Sequence, residues 1–319
     1  DREGRDWLRR LLDDPGTAGA DPGLRAWASL GIGQLAAEHG DGAAVLPEVE
    51  AALAVFDRLR DVSGQLAART QLCVLHQAYG NFEAARAHGE AALALAARHG
   101  RTRDIAVAQN NLTWHDIRVG DLAAARRRLT SVQRLAAELG ENRLRALAHA
   151  NLAEVARLDG RYADAVAIGE RAITLLDEVG DPGGAQPEPV FGVGEHPPRI
   201  LSHRRRVLGT IGLARAQAGL AVPARITLED LADGGIGALV EAYLALAEGD
   251  RVAATERFAA AAEALAGRHG VREVVEALVG LAASTDDPAR RTEVLAELDA
   301  LCERSGTILL ERERALLGR

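Results

Sequence analysis

Glycine recurs along this chain at a fixed interval, and that interval limits the possible folds more than any other feature. Gly40, Gly80, Gly120 and Gly160 lie 40 residues apart, and Gly100, Gly140 and Gly180 form a second series half a period out of step. Glycine takes up positive φ without steric cost, so it is favoured just past the C-terminus of a helix. Between these stops apolar residues return at three- and four-residue spacing, as at Leu129, Val132 and Leu135, which is the pattern of an amphipathic helix. The pattern predicts helices of about 16 residues, joined by short turns into antiparallel hairpins. Hairpins repeated at about 40 residues stack on one another, so the expected fold is all-α: a right-handed α-solenoid of about seven hairpins.

The beat divides the chain. Residues 1–20 read as the second helix of a truncated first hairpin, and residues 21–180 as four regular hairpins. Residues 181–198 contain five prolines and several glycines, which forbid a helix and predict a loop. Helical patterning resumes over 199–319 as about three degenerate hairpins with stops at Gly219, Gly249 and Gly270. Asp286-Asp287-Pro288 marks a helix start, and Gly306 to Arg319 reads as one more helix.

Composition narrows the chemistry. The chain has 319 residues, with 38 basic and 46 acidic side chains and a net charge of −8. Every basic residue is arginine, and neither Lys nor Met occurs. A P-loop lysine and a Schiff-base lysine are therefore excluded from these residues. The acidic balance argues against direct nucleic-acid contact by this segment. A chain without Met that opens at Asp1 is expected to be a piece of a longer polypeptide. Cys73 and Cys302 are too few and too far apart for a disulfide framework, and no apolar run reaches the roughly 18 residues of a membrane span. A cytoplasmic setting is expected.

Position by position the hairpins resemble the tetratricopeptide repeat. Leu72, Cys73, Gly80, Phe82, Ala85 and Ala92 carry the likeness in one hairpin, and Leu112, Gly120, Asp121 and Ala125 in the next. Leu152, Ala153, Gly160, Tyr162, Ala165 and Ala172 carry it in a third. The resemblance covers residues 21–180 well and 199–306 poorly. With its long period and Arg-rich, Lys-free composition, the array is similar to the sensor regions of bacterial signal-transduction ATPases, notably actinobacterial antibiotic regulatory proteins and large ATP-binding transcription activators. That resemblance implies a sensing or autoinhibitory array whose partner is an upstream ATPase domain in the same polypeptide, in some members alongside a DNA-binding domain.

In repeats of this kind the first helix of each hairpin lines the concave face. Gln71, Asn111 and Asn151 fall in phase there, 40 residues apart, and Asn110 is adjacent. Amides carry both donors and an acceptor, so a row of them suits the backbone of an extended peptide; alternatively they bridge neighbouring helices. Trp114 and Arg118 share a helical face with Asn111, and Glu154 and Arg157 follow one repeat later. Together they form a candidate recognition cluster. Arg126-Arg127-Arg128 reads as a solvated run paired with nearby acids, whereas Arg204, Arg205 and Arg206 are candidates for clamping an anion or an acidic partner. Phe191 in the loop is a candidate lid anchor.

No nucleophile motif, cofactor motif or metal-ligand spacing stands out, so no enzymatic role, cofactor or metal is expected. The sequence therefore points to a protein- or ligand-binding array of a cytoplasmic signal-transduction or transcription regulator. A free-standing protein-interaction scaffold and a small-metabolite receptor are the alternatives.

Overall fold

The computed structural model describes residues 2–38, 42–179, 203–231, 235–266 and 271–318. The loop 181–198, with Phe191, and the stops Gly40, Gly180 and Gly270 lie outside the described residues. Every long element among the described residues is an α-helix, and consecutive helices pack on one another as in an α-solenoid. The described chain forms two compact units, one running to Leu112 and the other starting at Thr113.

The first unit begins with α1 (Arg2–Asp13), α2 (Pro22–Glu38) and α3 (Gly42–Leu59). It continues with α4 (Val62–Ala78), α5 (Phe82–Arg98) and the start of α6 (Thr102–Arg118). Each of α1 to α4 packs on the next, and α2 also meets α4, so first helices of successive hairpins touch. The core gathers around Phe56, with Val49, Ala52, Ala68, Leu72 and Leu75 buried beside it and Trp27 tilted against its ring at 5.1 Å. Asp61 caps α4 by accepting the Gly64 N–H at 3.0 Å. Such caps satisfy amides that the helix cannot.

The second unit contains α7 (Leu122–Leu139), α8 (Asn142–Leu158), α9 (Tyr162–Glu178), α10 (His203–Gln217) and α11 (Ala221–Asp230). After these come α12 (Gly235–Ala247), α13 (Arg251–Leu265), α14 (Val271–Ser284), α15 (Pro288–Ser305) and α16 (Glu311–Leu317). Here too each helix from α7 to α15 packs on its neighbour, while α8 meets α10, α10 meets α12 and α12 meets α14. Those four first helices form one layer, the inner side of the stack.

Local chemistry accounts for the boundaries. Gly80, Gly100, Gly120, Gly140 and Gly160 all have positive φ at helix ends, as do Gly219 and Gly249. Asp121, Asp250 and Asp287 accept first-turn amides of α7, α13 and α15 at 2.8–2.9 Å. The chain end departs from expectation. Gly306 to Arg319 is not one helix: α16 starts only at Glu311, because Leu310 is extended (φ −68°, ψ 158°) and the residues before it spend their backbone groups elsewhere.

Candidate functional site

The inner layer of the second unit carries a concentration of buried charge. Arg157 of α8 is fully buried. Its guanidinium donates to both carboxylate oxygens of Glu276 on α14, at 2.9 and 2.7 Å, and to both oxygens of Glu154, at 3.0 and 2.5 Å. Glu276 is also fully buried, and it accepts a further bond at 2.5 Å from Arg312 of α16. Arg312 also reaches the Tyr162 hydroxyl at 3.2 Å, the Gln217 side-chain oxygen at 3.4 Å and the Arg157 carbonyl at 3.3 Å. Arg272 of α14 pairs with Glu313, whose carboxylate also accepts the Leu310 N–H at 2.8 Å. Thr210 of α10 donates to Glu154 at 2.9 Å.

Charge count explains the titration of these groups. Arg157, Arg272 and Arg312 face Glu154, Glu276 and Glu313, a balance of three against three. Burial alone would raise Glu276, but the charge and hydrogen bonds of Arg157, with Arg312 and Arg272, bring it down to about 2. Burial opposes the charge on Arg157, yet Glu154 and Glu276 hold it well above the ordinary arginine range. Glu273 lies one turn before Glu276, and the Arg157 charge only partly offsets its surroundings. Burial and the neighbouring Glu154 charge raise it to about 7, so it keeps a proton into the neutral range.

The segment after α15 runs along this layer. Gly306, with φ 62°, turns the chain, and a Cβ there would lie 2.5 Å from the Arg118 guanidinium; both conformation and space call for glycine. Arg118 donates to the Ser305 carbonyl, and its own carbonyl accepts the Ile308 N–H at 2.9 Å. Arg272 donates to the Ile308 carbonyl at 3.0 Å. Both backbone groups of Ile308 are thus bound, one by the end of α6 and one by α14. Leu310 and Leu317 are buried, whereas Ile308 and Leu316 are half exposed. Burying two leucines contributes roughly 3–6 kcal/mol, a modest apolar anchor for a segment of this length.

The predicted groove residues take several roles. In the first unit, Gln71 donates to the Leu30 carbonyl at 3.3 Å, linking α4 to α2. Asn110 and Asn111 are buried, and the Asn111 carbonyl accepts from Gln77 at 3.0 Å. In the second unit, Asn151 accepts from Arg206 at 3.0 Å, and that guanidinium stacks 5.3 Å from the centre of the Trp114 ring. Trp114, Arg118, Asn151, Glu154, Arg157 and Arg206 therefore all lie in the second unit, with Arg118 and Arg157 bonded to the chain end. Arg204 pairs with Asp177 at 3.4 Å and Arg205 is partly buried. Arg126 meets Asp159 at 2.5 Å and Arg128 meets Asp116 at 2.6 Å.

Sequence reasoning missed Glu276, Arg272, Arg312 and Glu313. One signal was present: Glu276 interrupts the apolar run Val274-Val275-Glu276-Ala277-Leu278-Val279, and an acid on a buried helix face needs a buried partner. Burial pushes the Cys73 thiol up to about 12, which removes the reactive thiolate at neutral pH. Among the described residues no group of three or more His, Cys, Asp or Glu side chains is placed to hold a metal ion, and no helix is long and apolar enough to cross a membrane. Compared with known proteins, the chain matches no family model and no curated sequence.

Proposed function

We propose that this chain is a non-catalytic partner-docking array of tetratricopeptide type, serving as the sensor or autoinhibitory arm of a cytoplasmic signal-transduction or transcription regulator. One observation carries the docking part: the second unit holds a non-helical stretch of chain through the backbone of Ile308 and the helix that follows it through the Arg312 side chain. A surface that reads backbone and one charged side chain together suits peptide recognition. The regulator part rests on the resemblance of residues 21–180 to sensor arrays. In this reading a bound partner changes how the array restrains an ATPase domain carried by the same polypeptide.

Sequencing the native reading frame on both sides of the chain tests the regulator part. A Gly-x-x-x-x-Gly-Lys-Ser/Thr motif upstream is expected. A start codon directly before Asp1 with a stop directly after Arg319 would overturn it and leave a free-standing scaffold.

A further inference from the structure

The groove of the second unit and the segment that fills it are built as receptor and ligand. Gly306 to Leu310, between α15 and α16, is not helical. Its Ile308 N–H and C=O go to Arg118 and Arg272, as an extended peptide's would. Arg312 then enters the site formed by Glu276, Gln217, Tyr162 and the Arg157 carbonyl.

The charges are also arranged for exchange. The segment brings one cation, Arg312, and one anion, Glu313. Without it, Arg157 keeps both of its carboxylates, Glu154 and Glu276, while Arg272 gives up Glu313 and the Ile308 carbonyl and retains the nearby charge of Glu276. The groove is thus balanced whether the segment is in or out, so withdrawal does not leave the Arg157–Glu276 pair broken, the step that makes opening most buried ionic sites costly. The segment is attached through Leu310 and Leu317, the backbone of Ile308, the Leu317 carbonyl that Arg291 reaches at 3.1 Å, and the ion pairs and hydrogen bonds of Arg312 and Glu313, and it turns on Gly306.

Resting on the partner-docking reading above, we propose that this groove binds a peptide segment of the pattern aliphatic-aliphatic-acid-Arg-acid, non-helical at its two aliphatic residues and helical from the first acid onward. Residues Leu309 to Glu313 are its tethered occupant, and the external partner is a peptide segment with the same pattern, which displaces them. The Arg312 position is the specificity contact, because its site offers a buried carboxylate, a hydroxyl and two further acceptors arranged around one guanidinium.

The test is a titration of a fluorescent peptide with the sequence of residues 304–319 into two full-length proteins, the unaltered chain and Leu310→Asp, which places a charge at a buried leucine of the tethered segment. The peptide should bind Leu310→Asp at least tenfold more tightly than the unaltered chain, and the Arg312→Ala peptide should bind at least tenfold more weakly than the unaltered peptide. No binding to a helical Leu310→Asp chain, equal binding to both chains or equal binding of both peptides would overturn the proposal. Hydrogen exchange on the unaltered chain gives a second reading should Leu310→Asp fail to fold. The amides of Ile308, Glu313 and Arg314 should exchange at least tenfold faster than those in the middle of α14. Exchange at the same rate as α14 would show the segment to be fixed core and overturn the proposal. Failure here leaves the reading-frame test of the regulator untouched.

Discussion

Phe56 in the first unit and Phe258 in the second sit in matching settings. Each phenyl ring lies where a Cβ on a glycine of the next helix would come within 2.2 Å, Gly64 in one case and Gly280 in the other. Each ring also has an aromatic neighbour at 5.1 Å, Trp27 for Phe56 and Tyr243 for Phe258. The apolar device is therefore shared, and the units part company over charge. Among the described residues, the buried polar side chains of the first unit are His76, Asn110 and Asn111, whereas the second buries the charged groups Asp116, Arg118, Arg157, Arg272, Glu276 and Glu313. Apolar contact of Ala, Leu and Phe suffices to stack hairpins. Desolvated charge adds nothing to stacking that hydrophobic side chains would not supply, but it does select what lies against it.

The largest effect expected from this difference is at Glu276. Glu276→Ala leaves Arg157 buried with Glu154 alone and removes the main partner of Arg312, which should cost about 3–5 kcal/mol, confined to the second unit. Urea unfolding followed by hydrogen exchange, helix by helix, checks this; equal loss of protection in α2 to α5 would break the distinction between the units.

Titration gives the next largest effect. Glu273 is raised above its ordinary 4.5 to about 7, so the unfolded chain loses this proton first and stability falls as pH rises from 4.5 to 7, by at most about 3 kcal/mol. Glu273→Gln should therefore gain on the unaltered chain between pH 5 and pH 8, with no such gain if the residue is ionised throughout. The variant isolates this group from His203, which burial lowers to about 3 and which acts in the opposite sense. In the first unit, burial lowers His76 and His88, whose rings stack at 5.5 Å, below the ordinary 6.5. Their contribution is present above pH 6.5 and lost as pH falls below it, because the unfolded chain takes up protons first. His88→Gln should flatten that loss in α4 and α5.

The shared device predicts equality. Gly64→Ala and Gly280→Ala should each cost about 1–3 kcal/mol through overpacking against the phenyl ring. Thermal unfolding of the two variants checks it, and a cost at one site alone would show that the settings only look alike. The smallest effect is at the α4 cap: Asp61→Ala should cost about 1 kcal/mol, read as faster exchange of the Gly64 amide.

Much of the helical organisation could be read directly from the sequence, since helix stops and caps are local signals. Gly120 ends α6, Asp121 caps α7 and Asp287-Pro288 opens α15 through contacts within a few residues. The charged groove could not be read in the same way. Arg157 and Glu276 are separated by 119 positions and Arg157 and Arg312 by 155, and no local pattern relates residues so far apart. Gly306 to Arg319 reads as a helix by propensity, and its first residues are held extended by bonds that only the folded groove supplies.

The central claim is that the chain end is held in the second unit by the Arg312–Glu276 contact. A double-mutant cycle with Arg312→Gln and Glu276→Gln, measured by urea unfolding of the second unit, tests it most directly. The expected coupling is about 1–3 kcal/mol, as for residues in one buried network. Additive losses, with coupling near zero, would contradict the claim.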